Sequence, residues 1–260
     1  MGVPTEFAVD MTCKSCVSAV ERALGQTQGI DRFDIDLEHK KVTVVGTAPP
    51  SAVCTALRQT GKTVIVRGQS SATGKNLGAA VCMFHDSDDL REISRPRDVP
   101  RRTGLARFVQ LDTNMCAVDI TVSGLKPGPY GVAIHANGNI SQGAITTGNI
   151  YRGTAADSSD PSAASLPAGV LGDINVEANG WGSLLVETRR VRLDELIGRS
   201  LVVTERTSQQ TVADTGGPAD GILCGIIARS AGAFQNNKRI CECSGKTLWE
   251  EAQAAGNTNL

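Results

Sequence analysis

Met11-Thr12-Cys13-Lys14-Ser15-Cys16 decides the reading of this chain. Two cysteines stand with two residues between them. A short alternating run, Phe7, Val9 and Met11, leads into them, and Val17, Val20 and Leu24 follow at helical spacing. That boundary predicts a loop opening a helix, with both thiols exposed on it. The positive end of a helix lowers thiol pKa values and favours thiolate. Two close thiolates offer a linear, low-coordinate site to a soft cation, and Cu(I) is the natural guest. Met11 reads as a core residue beneath the loop.

The rival for Cys13 and Cys16 is a redox pair of thioredoxin type. That motif usually sets Gly-Pro between its cysteines and continues into a longer βαβ pattern; here the intervening pair is Lys14-Ser15. A second pair, Cys241-Glu242-Cys243, lies near the other terminus beside Lys238 and Arg239. Two cysteines so close make a strained disulfide. As exposed thiols they suit Cu(I) binding or attack on another sulfur.

Outward from the first pair, residues 1–68 read as a small α+β unit. Phe33-Asp34-Ile35-Asp36-Leu37 alternates as a half-buried strand, apolar in and acidic out. Glu38-His39-Lys40 turns the chain into Val42-Thr43-Val44. Pro49-Pro50-Ser51 starts a second helix with Ser51 as its N-cap, Val53 and Leu57 facing inward, and Gly61 at its end. A last strand covers 63–66. The order βαββαβ is a ferredoxin-like sandwich. Gly68 to Gly74 (GQSSATG) is a Gly/Ser-rich linker, assigned to 69–75.

From 76 to 233 the pattern changes to short strands between turns, at 79–84, 107–111, 117–122, 131–135, 183–187, 201–203 and 223–228, with Gly124-Leu125-Lys126-Pro127-Gly128 and Ala178-Asn179-Gly180 as turns. This predicts an all-β barrel or sandwich. Residues 85–103, with their aspartates and Arg95, Arg97, Arg101 and Arg102, read as a solvated loop of mixed charge; a basic docking patch is the alternative. Residues 136–168 lack strand periodicity. Cys54, Cys82, Cys116 and Cys224 read as buried small hydrophobes, although Cys82 and His85 have a spacing that a metal would accept. The segment 234–260 reads as a mostly unstructured tail anchored by Leu248-Trp249.

Composition narrows the function. The 260 residues carry a formal net charge of -1, so a nucleic-acid partner is not indicated. No run of 18 apolar residues exists to span a membrane, and Met1-Gly2-Val3-Pro4-Thr5-Glu6 is not a secretory signal. Eight cysteines in such a chain read as metal or redox chemistry in a reducing compartment, the cytoplasm.

These residues together resemble the copper chaperones for superoxide dismutase over nearly the whole length. The first unit is similar to a heavy-metal-associated domain through Met11-Thr12-Cys13-x-x-Cys16. The second is similar to a Cu/Zn superoxide dismutase, a Greek-key barrel, through Gly124 to Gly128, Gly131 to His135, Leu171-Gly172-Asp173-Ile174 and Ile197-Gly198-Arg199-Ser200. Cys224-Gly225-Ile226-Ile227-Ala228-Arg229-Ser230, Cys241-Glu242-Cys243 and Thr247-Leu248-Trp249-Glu250-Glu251 resemble the chaperones' own tail.

The resemblance implies Cu(I) as cargo, held by Cys13, Cys16, Cys241 and Cys243. It implies Cu/Zn superoxide dismutase as a heterodimer partner, met through Gly225, Ile226, Ile227, Ala228 and Tyr130, with Asn137 to Asn139 nearby. Lys62 is similar to the basic residue the family places near the metal loop, and a solvated turn lysine is the equal alternative. A homodimer of the free chain is left open. The mitochondrial intermembrane space is a second location.

The departures from a dismutase matter as much. The chain has three histidines, and only His135 falls on a ligand position, with Asp173 as the carboxylate. Ala133, Thr204, Ile150 and Val170 stand where other ligands are expected, and Ala144 stands where Cys224 would find a disulfide partner. The barrel is therefore expected to hold no zinc and to be no dismutase, while Cys241 and Cys243 perform thiol exchange on the client. Alternatives of another class are a bifunctional metal-sensing dismutase, which the missing histidines oppose, and a copper buffer without a client.

Overall fold

Phe7 and Val9 are wholly buried on β1 (Val3–Val9), which occupies an inner position of a four-stranded antiparallel sheet. The computed structural model describes residues 3–69, 77–93, 101–111, 113–153, 166–213 and 221–230. The chain divides into two compact units, Met1–Ala79 and Ala80–Arg229.

In the first unit β1 is followed by α1 (Lys14–Gly25), β2 (Ile30–Asp36), β3 (Lys41–Gly46), α2 (Pro50–Arg58) and β4 (Val64–Gln69). The sheet order β2-β3-β1-β4 gives the expected βαββαβ sandwich. Cys16, Val20 and Leu24, four apart on α1, form its buried stripe, and Val17 packs at the border. Burying a side chain such as Leu24 contributes roughly 1.5–3 kcal/mol.

Three local expectations are corrected. Ser51 is not the cap of α2: Pro49 is, and Pro50 takes the first helical position, where its missing N–H leaves nothing unpaired. Phe33 is not inside: it is 37% exposed, because β2 is an edge strand. β4 runs on through Gln69, pairing Gly68 with Glu6 and Gln69 with Thr5, so the strand enters the segment expected to be linker. The rest of that linker, 70–76, lies outside the described residues, as do Arg95, Arg97 and the tail from 231 onward.

The second unit comprises β5 (Ala79–Asp86), α3 (Ser87–Leu90), β6 (Thr103–Gln110), β7 (Cys116–Ser123), β8 (Gly128–His135), β9 (Ser141–Ala144), β10 (Val170–Val176), β11 (Gly182–Thr188), α4 (Leu193–Leu196), β12 (Ser200–Thr204), α5 (Ser208–Ala213), β13 (Gly221–Ile226) and β14 (Ala228–Ser230). Its sheet order is β13-β12-β8-β10-β11-β7-β6-β5-β14. β13 also pairs with β5, Leu223 against Asp86 and Cys224 against His85, which closes eight strands into an antiparallel barrel. β10 and β11 separate the consecutive strands β7 and β8, a Greek-key crossover. Phe108, Ile120, Ile134, Ile174, Leu201 and Leu223 fill the interior.

β9 lies inside the stretch expected to lack strands. β10 was absent from the expected strands because Gly172 and Asp173 interrupt its apolar alternation. The loop expected at 85–103 is also corrected at both ends. β5 reaches Asp86, whose carboxylate has no exposure and accepts two bonds from Arg102 at 2.6 and 2.7 Å. A buried carboxylate needs such a partner.

Candidate metal centre

β1 ends at Val9, residues 10–12 carry the chain out of the sheet, and Cys13 is the N-cap of α1 in extended conformation. The two sulfurs are 3.3 Å apart. They differ in setting: Cys13 is exposed, whereas Cys16 is buried in the first turn of α1 and belongs to the unit's apolar core. The expectation of two exposed thiols is thus corrected for Cys16.

The Cys16 thiol is lowered to about 6, first by the Thr12 backbone N–H, then by the Cys13 side chain and the Thr12 hydroxyl, against burial, which raises it. Cys13 Sγ also lies 2.9 Å from Ser15 Oγ. Cys16 is thus acidified and packed in the core, while Cys13 is exposed. Metal–thiolate bonds of about 2.3 Å let two sulfurs on one ion stand up to about 4.6 Å apart, so a turn of the Cys13 side chain opens the pair to an ion.

Met11 is buried in the same core, under the loop. Thr63 accepts the Asp10 N–H at 3.0 Å, which brings the residue after Lys62 beside the exit of β1. The sequence reading missed Lys40. Its ammonium lies 2.6 Å from Asp10 Oδ1, and its carbonyl accepts the Val9 N–H at 2.9 Å. The β2–β3 turn thereby steadies the strand end that carries the metal loop. Thirty residues separate the partners, and no local pattern announces the pair.

The barrel's residues at metal positions are differently employed. Ala133, Ile150 and Val170 pack together as an apolar cluster of their own. Thr204 donates its hydroxyl to the carbonyls of Arg206 at 2.9 Å and Gly131 at 3.4 Å. Asp173 Oδ1 accepts both the N–H and the hydroxyl of Ser208 at 2.7 Å. His135 is buried, its Nδ1 lies 2.7 Å from the Gly148 carbonyl, and burial lowers its pKa. Among the described residues no three His, Cys, Asp or Glu side chains stand together as a metal set. One imidazole and one occupied carboxylate do not fit a copper–zinc centre.

The other described cysteines, Cys54, Cys82, Cys116 and Cys224, are buried. Burial pushes the Cys82 thiol up strongly, Cys116 to about 12 and Cys224 to about 11, so none is a ready thiolate. Cys82 points inward while His85 is exposed, as strand alternation requires three residues on, and the two do not form a metal pair. Cys224 is a free thiol packed against Ala144, which brings no sulfur to it.

Residues 6–63 match the heavy-metal-associated domain family, and 102–227 match the copper/zinc superoxide dismutase family. Proteins described as copper chaperone for superoxide dismutase from Rattus norvegicus and Homo sapiens are each 35% identical over 252 residues, covering 95% of this chain and 88% of theirs. A superoxide dismutase 1 copper chaperone from Debaryomyces hansenii is 39% identical over 256 residues, 96% of this chain and 94% of its own. The chain belongs to the copper chaperones for superoxide dismutase.

As a member of that family it presents a barrel seam between β5 and β13. Ile226, 41% exposed, and Ala228 are on the outside of it. Gly225, Ile227 and Tyr130 are buried. The Tyr130 hydroxyl donates to the Lys126 carbonyl at 3.0 Å, which keeps the ring inside. Gly225 is required by crowding: a Cβ there would meet the Met83 carbonyl at 2.1 Å. Continuing the β5–β13 register brings Met83, 61% exposed, opposite Ile226. Met83 was missed, although an apolar residue between inward-facing Cys82 and Phe84 is a readable sign. No described helix is long and apolar enough to cross a membrane.

Proposed function

We propose that the chain captures Cu(I) as a dithiolate on Cys13 and Cys16 and delivers it to Cu/Zn superoxide dismutase while paired with that client through its barrel. The observation that carries this reading is the contrast in donors. Two sulfurs, one exposed and the other already acidic, stand 3.3 Å apart in the first unit, while an apolar cluster occupies ligand positions of the barrel. Such a barrel holds neither copper nor zinc and is no dismutase. Its resemblance to one serves recognition, because a barrel that shares a self-complementary surface pairs with the related chain at little cost. Met83, Ile226 and Ala228 at the seam, with Asn137 and Asn139, are the proposed contact. The free chain pairs with a second copy by the same surface when no client is present.

Cys241 and Cys243, outside the described residues, are proposed to accept the ion and to exchange sulfur bonds with the client. In that exchange two client thiols become a disulfide and two tail sulfurs become thiols. Each turn then needs an external electron acceptor, such as dioxygen, to reoxidise the tail. Free thiols at Cys13 and Cys16 suit the cytoplasm as location, with the mitochondrial intermembrane space second.

Mixing the copper-loaded full chain with apo-dismutase in the presence of a copper chelator tests this. Client activity and client disulfide are expected to rise together, with a heterodimer on sizing. Activation that the chelator abolishes, with no complex on sizing, would leave a copper buffer instead.

A further inference from the structure

We propose that Ser87 is a positioning residue whose hydroxyl fastens the β8–β9 segment to the barrel and so sets the shape of the loop that carries Asn137 and Asn139. Its functional consequence rests on the docking role proposed above. Ser87 opens α3 and is 2% exposed. Its hydroxyl accepts the Ala144 N–H at 3.3 Å and donates to Cys224 Sγ at 3.8 Å. One small side chain thus ties α3, β9 and β13 together.

Both ends of this tie are themselves held. On one side, the buried Asp86 carboxylate takes two bonds from Arg102 and the Asp88 N–H at 3.0 Å, and Arg102 also bonds Asp88. That fixes the backbone entering Ser87. On the other side, the Ala144 carbonyl accepts the Thr147 N–H at 3.0 Å and the Thr147 hydroxyl at 2.7 Å. The Thr147 carbonyl accepts the Asn137 N–H at 2.8 Å, and the Asn137 carbonyl accepts the Ser200 hydroxyl at 2.7 Å. A continuous chain of bonds therefore runs from Arg102 through Ser87 to exposed Asn137.

Packing shows that the contact is built. Gly143 has φ +67, and a Cβ there would lie 2.9 Å from both Ser87 Cβ and the Ser87 carbonyl. The loop comes down onto Ser87 with no space for a side chain. Ala144 is buried and its N–H has no water to turn to, so the Ser87 oxygen is the acceptor whose loss is felt. Because the tie is a hydroxyl and not a sulfur bond, reductants leave it intact.

The test is amide hydrogen exchange on the full chain, joined to client binding. Ser87→Ala is expected to speed exchange at Ala144 and Asn137 by about tenfold or more while Ile134 and Val202 in the central strands keep their protection. Unchanged exchange at Ala144 overturns the proposal. Cys224→Ala removes the weaker sulfur contact and is expected to leave Ala144 as protected as before. If it loosens Ala144 as much as Ser87→Ala does, packing holds the loop and the hydroxyl does not. Should Ser87→Ala fail to fold, Ser87→Cys kept under reductant, so that it forms no disulfide with Cys224, gives the same reading, since it is nearly isosteric but a poor acceptor: faster exchange supports the tie and unchanged exchange refutes it. Binding to apo-dismutase is expected to weaken at least roughly threefold in Ser87→Ala, through faster dissociation. A loosened loop with unchanged binding overturns the positioning role. A wild-type chain that binds no dismutase refutes the docking reading, and the exchange result then still judges the tie.

Discussion

The two units handle electron-pair donors in opposite ways. In the first, Cys13 and Cys16 keep theirs available: one sulfur is exposed, the other is acidified by Thr12, and nothing bulkier than Ser15 competes for them. In the barrel, few donors remain at the positions of dismutase ligands. Asp173 is closed by Ser208, the Thr204 hydroxyl is turned to two carbonyls, and Ala133, Ile150 and Val170 have no donor side chains at all; His135, held on Gly148 through Nδ1, keeps a buried Nε2 with no partner and stands without a second ligand. The contrast supports the proposed function: an ion to be passed on needs few ligands and an open approach, and a barrel proposed to serve recognition needs a stable surface, to which internal bonds and apolar contacts contribute.

The largest effect that this contrast predicts is on capture. Cys13→Ser with Cys16→Ser should lower Cu(I) affinity of the full chain's first site by about a thousandfold or more, since hydroxyls are poor ligands for a soft cation. Client activation at limiting copper, measured beside the wild type, should fall accordingly. Normal activation would show that the first pair is not the point of entry.

Next in size is the apolar replacement in the barrel. Ile150→Ala should destabilise the second unit by about 2–4 kcal/mol through the cavity it leaves, and the loss in denaturant midpoint should be the same with and without a chelator. A chelator-dependent loss would mean that metal contributes there. Ser208→Ala should cost less, roughly 1–3 kcal/mol, by taking the hydroxyl donor from the Asp173 carboxylate and leaving it the backbone N–H of residue 208. A variant as stable as the parent would show that water serves Asp173 equally well.

The smallest effect concerns His135. Burial holds its pKa below the ordinary 6.5, so the unfolded chain binds this proton more readily than the folded one. Its contribution to stability is complete above about 6.5 and declines as pH falls from there through the folded value. His135→Gln should flatten that part of the stability–pH curve. An unchanged slope would place the titration elsewhere.

How much of this was legible in the sequence depended on the range of each interaction. Cys13 and Cys16 could be placed because a separation of three residues at the start of a helix brings both side chains to one side of its first turn. The depth difference between them could not, since it depends on how α1 lies on β1. Phe33 kept perfect alternation and is still over a third exposed, because alternation does not say that a strand is at an edge. The Asp86–Arg102 pair was hidden in what read as a solvated loop: sixteen residues separate two charges whose burial only the barrel's closure enforces. Lys40 and Asp10 were hidden likewise. The apolar residues at ligand positions could be named from resemblance, but that Ala133, Ile150 and Val170 touch one another is a fact of the closed sheet. Ser87, a single serine among aspartates, carried no signal.

The central claim is that this chain's metal is held by sulfur alone. Its most direct test is metal analysis of the full chain after dialysis against equimolar Cu(I) and zinc under reductant, with X-ray absorption on the bound copper. The account predicts copper in an all-sulfur shell, no imidazole scattering, no stoichiometric zinc, and the same copper content in His135→Ala. Stoichiometric zinc, or copper with an imidazole shell that disappears in His135→Ala, would contradict it.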